Sequence, residues 1–146
     1  MVAYNKASEL TEKNDEVLVM GQLLDIDWLD HYDVLKNLKG ECRLAISLFE
    51  ERKRISSGLQ NNGSNTLENR LRKYSGMEKV HAKVVESDLS YCFIAGDNAI
   101  IAVDDYAKRA ISPRELRVFW TNAPNVLKGW RTNFDNAYND SSARVL

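Results

Sequence analysis

The sequence predicts an α/β fold, a mixed β-sheet flanked by helices, and three observations carry the prediction. Apolar runs of strand length recur at 16–20, 41–48 and 80–85. Segments with apolar residues every three or four positions separate them, and an amphipathic, aromatic-rich stretch closes the chain. With 44% apolar content, 146 residues can enclose one buried core, and neither a repeat nor a linker divides them. A single domain over residues 1–146 is expected.

Between Val2 and Lys13, Ala3, Ala7 and Leu10 stand at helical spacing until Asn14-Asp15 interrupts the pattern. Residues 16–20 form a compact apolar run that reads as a central strand stopped by Gly21. Asp27 then caps a helix with Leu29, Tyr32, Leu35 and Leu38 inward and Gly40 as its stop. Asp27 and His31 are four apart on it, a spacing open to a metal ion. Acidic residues in a first helical turn more simply complement the helix dipole, so no metal site is expected.

Cys42, Leu44, Ile46 and Leu48 alternate along a second strand. Residues 49–63 are charged and rich in Ser, Asn and Gly, and read as a long loop. A helix starting near Ser64 turns Leu67, Leu71 and Tyr74 inward, pairs Glu68 with Arg72, and ends at Gly76. Strands follow at 80–88, 91–95, 100–103 and 114–120, with a turn at Gly96-Asp97-Asn98 and a polar connection over 104–113. A closing helix after Pro124 carries Val126, Leu127, Trp130, Phe134, Ala137 and Tyr138 as its inner stripe.

The net charge of −1 and pI near 6.1 argue against a protein whose whole surface grips a polyanion. The basic runs Arg52-Lys53-Arg54 and Arg70 with Arg72-Lys73 read as solvated faces. The N-terminus lacks the apolar core of a signal peptide and no run approaches bilayer length, so a cytoplasmic protein without a membrane span is expected. Cys42 and Cys92 stand singly within apolar strand patterns and read as buried free thiols.

The chemistry-bearing stretch runs from Val80 to Asp88. On a strand, His81 and Lys83 share one face while Val80, Ala82 and Val84 take the other. An imidazole beside an ammonium suits a phosphate: the Lys holds anionic oxygens, and the His attacks phosphorus or passes a proton. Asp88 is the candidate to orient an imidazole. By composition alone this arrangement of His, Lys and Asp arises by accident with a probability of about 0.01.

His81, Lys83 and Asp88 resemble the HxKx4D signature of the phospholipase D superfamily. Six residues after Asp88, Ala95-Gly96-Asp97-Asn98 stands where that family reads GSxN. The Asn is kept, but Ala95 replaces the Gly, Gly96 replaces the Ser, and Leu89 stands where a Gly often follows the Asp. The element order is similar to one half of the phospholipase D fold across nearly the whole chain. The resemblance implies a homodimer that brings two signatures together, as in single-signature bacterial endonucleases of similar length. It implies phosphodiester hydrolysis, of nucleic acid above lipid, through a covalent phosphohistidine on His81. Lys83 and Asn98 would hold phosphoryl oxygens, with Asp97 and Glu115 beside the substrate, and neither metal nor cofactor is called for.

A second resemblance competes with the first. The chain is also similar to phospholipase D-like sensing domains of archaeal regulators, in which the cleft binds a small ligand without chemistry. Gly96 at the Ser position and the extra carboxylate of Asp97 favour it, because a carboxylate beside a phosphate site repels the substrate. As a regulator the chain is expected to need a partner or to be part of something longer.

Overall fold

The computed structural model describes residues 2–56, 64–104 and 116–146. Helix α1 (Val2–Lys13) leads into strand β1 (Glu16–Gln22), which continues through Gly21. A Cβ at Gly21 would lie 3.3 Å from the Tyr91 ring, so this glycine admits a neighbour and does not turn the chain. Helix α2 spans Leu23–His31, earlier than the periodicity predicts, because Leu23, Ile26 and Leu29 all pack into the core. Asp33 then adopts φ 61° and a 3-10 turn follows at Val34–Lys36. The apolar period that read as one helix is shared by two elements, and Asp27 lies inside α2 instead of capping it.

Gly40 does not end that helix either. A Cβ there would come within 2.1 Å of the Asp15 carbonyl oxygen, and the Glu41 amide donates to the same oxygen at 3.0 Å. Strand β2 (Glu41–Ser47) thus starts where two backbones touch. Residues 49–56, expected in a loop, form helix α3 (Phe49–Ser56); the remainder of that loop, 57–63, lies outside the described residues. Its charge hid it, since only Glu51 of α3 is buried and no apolar period marks it. Next come α4 (Ser64–Ser75), β3 (Val80–Val85), β4 (Cys92–Ala95), β5 (Asn98–Asp104), β6 (Leu116–Thr121), α5 (Pro124–Tyr138) and the two-residue β7 (Arg144–Val145). The polar connection over 105–113 lies outside the described residues.

The seven strands form one mixed sheet in the order β6-β5-β4-β1-β2-β3-β7. β1, β2 and β3 are parallel and step in one direction. Residues 86–91 then carry the chain back across the carboxyl ends of β2 and β1, so that β4 pairs antiparallel with β1 and not with β3. β4, β5 and β6 continue as an antiparallel meander.

One face of the sheet carries the larger core, where Val17, Val19, Leu44, Ile46 and Phe93 meet α1, α2 and α4. The other carries a smaller core, where Leu18, Met20, Ala45 and Ile94 meet Leu127 and Phe134 of α5. Val126, predicted inward, is 40% exposed. Cys42 and Cys92 fall on opposite faces, both buried, and burial pushes each thiol up to about 12. No helix among the described residues is long and apolar enough to cross a membrane.

The helices on the larger-core face are tied by charge as well as by apolar contact. Arg70 of α4, read from the sequence as solvated, forks onto Asp27 Oδ2 at 2.8 and 3.1 Å and reaches the buried Glu51 of α3 at 3.0 Å. One guanidinium therefore joins three helices, an arrangement that a Lys point charge would not reproduce. The Tyr74 hydroxyl donates to Asp27 Oδ1 at 2.5 Å, and Lys73 stands 3.1 Å from the same oxygen. Asp27 is thereby occupied within the fold.

Two predictions follow from these contacts. Gly40→Ala forces the Asp15 and Gly40 backbones apart and lowers unfolding free energy by about 1–3 kcal/mol, measured by urea denaturation. Burial, then the bond to Asp27, raises the Tyr74 pKa far above its ordinary value. Above the unfolded tyrosine pKa of about 10 the unfolded chain releases a proton that the folded chain keeps, so this contribution is complete below that pH and shrinks above it. Urea titrations from pH 8 to 11 should show wild type losing more stability than Tyr74→Phe; equal losses would contradict the assignment.

Candidate functional site

The register of the parallel strands fixes where the motif residues lie. His81 stands level with Arg43 and Leu18, and Lys83 with Ala45 and Met20, all on the face covered by α5. The alternation read from the sequence is therefore present, with Val80, Ala82 and Val84 buried on the opposite face. His81 is 58% exposed, and its Nε2 lies 2.5 Å from Glu41 Oε2. The carboxylate beside the imidazole is Glu41, from the neighbouring strand.

Lys83 Nζ donates to the Tyr138 carbonyl at 3.0 Å and sits 4.3 Å from the centre of the Tyr138 ring. Tyr138 is the last residue of α5, so the ammonium caps a helix C-terminus, where the dipole favours positive charge. Arg43 lies beneath Phe134 and Tyr138 at 5.6 Å from each ring. The Tyr138 hydroxyl returns a bond to the His81 carbonyl at 3.3 Å. Arg43 and Lys83 thus both dock α5.

Asp88 is not beside His81. Four strand steps from His81 to Val85 already span about 13 Å, and Asp88 lies beyond them in the crossover at the carboxyl edge. There Asp88 Oδ1 accepts from Gln22 Nε2 at 2.7 Å. Asn98 is separated differently: Gly96-Asp97 is the two-residue turn of the β4–β5 hairpin, with Gly96 at φ 57° and Asn98 paired to Ala95. Between β3 and β5 lie three strands, a separation of about 19 Å. Alternation puts Asn98 on the α1 side of the sheet, away from Lys83. Arg131 of α5 pins the turn by donating to the Gly96 carbonyl at 2.7 Å, and Asp97 is exposed at its tip. Glu115 lies outside the described residues. The structure brings His81 and Lys83 to one face, leaves Asp88 at the carboxyl edge, and sets Asp97 and Asn98 at the β4–β5 hairpin apart from all three.

A different set of residues does converge. At the carboxyl edge, where the strand order reverses between β2 and β4 around β1, a cleft of about 390 Å³ opens between the crossover and α5. Open α/β sheets bind ligands at this place, because strand ends and crossing loops leave a crevice there. Met20, Leu89, Trp130 and Ala137 supply apolar walls; Asp88, Asp140, Asn133 and Asn136 supply polar groups. Among the described residues no Lys or Arg lines it. Asp140 Oδ1 accepts from the Ser142 hydroxyl and amide at 2.6 and 2.8 Å, which holds its pKa below the usual carboxylate value. Ser87 and Ser90 complete the described lining, and its two carboxylates without a cation favour hydroxyl or ammonium donors over a phosphate.

The cleft is braced from behind. Gln22, 5% exposed, donates from Nε2 to Asp88 and to the Leu89 carbonyl at 3.1 Å, and its Oε1 accepts from the Glu50 amide at 3.1 Å. Ser47 Oγ donates to the Ser87 carbonyl at 2.6 Å and accepts from the Phe49 amide at 3.2 Å. Arg52 forks onto Glu86 at 2.9 and 3.0 Å and lowers its pKa. The first turn of α3 and the cleft wall are one hydrogen-bonded unit. Sequence reasoning passed over Gln22, Asn133, Asn136 and Asp140. A search for polar stripes would have found the last three, since Trp130, Asn133, Asn136, Ala137 and Asp140 follow one helical face.

No family model matches the chain, and no curated protein matches it by sequence. Solved structures do share its fold. One is described as "Structure of TrmBL2, an archaeal chromatin protein, shows a novel mode of DNA binding"; it is 14% identical, with a TM-score of 0.63 over 99% of this chain. This chain spans about half of that one, 50% of its length. Another is NucT from Helicobacter pylori, 8% identical with a TM-score of 0.58, covering 99% of this chain and 91% of that one. The chain thus has an α/β, phospholipase D-like fold, a mixed seven-stranded sheet flanked by helices.

Proposed function

We propose that the chain is a non-catalytic, phospholipase D-like ligand-binding domain of a regulatory protein, with its site in the carboxyl-edge cleft. The observation that carries this reading is the dispersal of His81, Lys83, Asp88 and Asn98 over two edges and two faces of the sheet. In-line phosphoryl transfer needs nucleophile, cation and acceptor-binding groups around one phosphorus atom, and preorganised contacts lose their effect when displaced by even an ångström. Lys83, the cation of the set, is committed to α5. Two copies of His81 across a twofold axis would still lack Asn98 and Asp88 beside them.

The charge of the cleft points the same way. Asp88 and Asp140, with no cation among the described lining residues, repel a phosphodiester, whereas a neutral polyol or an organic ammonium can donate to both and lie against Trp130. The DNA binding named for TrmBL2 belongs to a chain twice as long. For this chain nucleic acid is a partner of the assembly it would regulate, and not a substrate.

Chromogenic phosphodiester and single-stranded DNA and RNA, assayed with chelator present, should give no turnover above a buffer control. Turnover that disappears in His81→Ala would overturn the proposal. Lys83→Met should lower stability by about 1 kcal/mol through loss of the helix cap, read by urea denaturation. Titration with a panel of neutral polyols and primary amines should perturb the amide resonances of Trp130, Asn133 and Asp88, with Asp88→Asn weakening the response at least threefold. A response to inorganic phosphate alone, centred on Lys83, would instead restore the anion-site reading.

A further inference from the structure

β6 is the outermost strand of the sheet, and among the described residues no strand pairs with its outer edge. The residues on it are built for an interior position. Val118, Phe119 and Trp120 are consecutive and are 46, 49 and 51% exposed, so both faces of the strand present large apolar groups to solvent. A strand apolar on both faces is one that expects cover on both, and a strand meant to stay at an edge carries a charge, a proline or a bulge. β6 holds one charge, Arg117 near its start, which the register below sets opposite Thr121 of the other copy, and none of these lies between Val118 and Thr121. The opposite edge is different, since β7 is two residues long and too short to template another strand.

We infer that β6 pairs antiparallel with β6 of a second copy of this chain, across a twofold axis that passes midway between the two Phe119 residues. A twofold perpendicular to the sheet brings like faces together, so residues i and j can face each other only when i + j is even. With the axis between the two Phe119 residues, Phe119 meets its own copy, and Val118 meets Trp120 of the other copy twice. All three pairs are apolar, and an aromatic ring opposite a β-branched residue is a favourable cross-strand neighbour. Val118 and Trp120 project on the α1 side, where Lys6 Nζ stands 5.1 Å from the Trp120 ring centre and leaves its outer flank uncovered. The uncharged centre of the strand and a net charge of −1 leave two copies little electrostatic reason to stay apart.

The area sets the strength. A ladder of six residues with three large side chains per copy falls short of the roughly 1,200–2,000 Å² buried by stable complexes, so the dimer is concentration-dependent. This places the twofold on β6, not at His81 on the far side of the sheet, and it stands whether or not the cleft binds a ligand.

Sedimentation velocity on the full chain from about 5 to 500 µM tests it, the range in which interfaces below standard size dissociate. The weight-average sedimentation coefficient should rise from monomer toward dimer, and Phe119→Lys should hold the chain monomeric with an unchanged far-ultraviolet spectrum. Should that variant misfold, wild-type hydrogen exchange decides: at high concentration β6 amides should slow at least fivefold relative to low concentration, with no comparable change in β3. A monomer throughout, a dimer that survives Phe119→Lys, or protection that grows elsewhere but not on β6 would each overturn the inference.

Discussion

A single buried amide sets the geometry on which the candidate site depends. Gln22 ends the central strand, and its side chain meets three partners drawn from two other segments. A buried amide left unpaired costs more than a formed bond returns, so the crossover over residues 86–91 is held where those partners exist. That crossover reverses the strand order, sends β4 to the far side of β1, and separates the His81 strand from the Asn98 strand. The cleft is the space the same reversal leaves behind.

The separation falls between residues that a well-spaced motif groups together. Spacing along a sequence becomes proximity only when the intervening chain turns back on the same strand. Joining β3 to β4 near Leu89-Ser90 as neighbours would have returned Asn98 beside His81, and nothing in residues 86–91 distinguishes that path from a crossover. The deciding features are long-range: Met20 facing Cys92, and Leu18 facing Ile94. Lys83 shows the limit from another direction, since a lysine on a strand face reads alike whether it awaits an anion or a helix terminus.

The fold itself was far more legible. Alternation in β2 and β3, the compact run of β1, the inward stripe of α4 and the aromatic stripe of α5 all appear as local patterns, and each formed the element expected of it. What escaped notice lacked a local apolar signal. α3 is charged along its length and is held by Ser47, Gln22 and Arg70 from outside itself. β7 is too short to have a period. Gly21 and Gly40 looked like punctuation but serve as points of close approach to Tyr91 and Asp15.

The two faces of the sheet are unequal. The larger core joins α1, α2 and α4 to the sheet, whereas α5 rests on a smaller apolar patch supplemented by polar ties from Lys83, Arg43 and Arg131. Local opening follows the distribution of buried contacts, and the smaller core under α5 is the side on which partial opening would cost less. Trp130, Asn133 and Asp140 all ride on that helix. Anything held between it and the crossover adds its binding free energy to the weaker of the two attachments. Occupancy would thereby be converted into the lifetime of one docked helix, a quantity that another protein could read without touching the ligand.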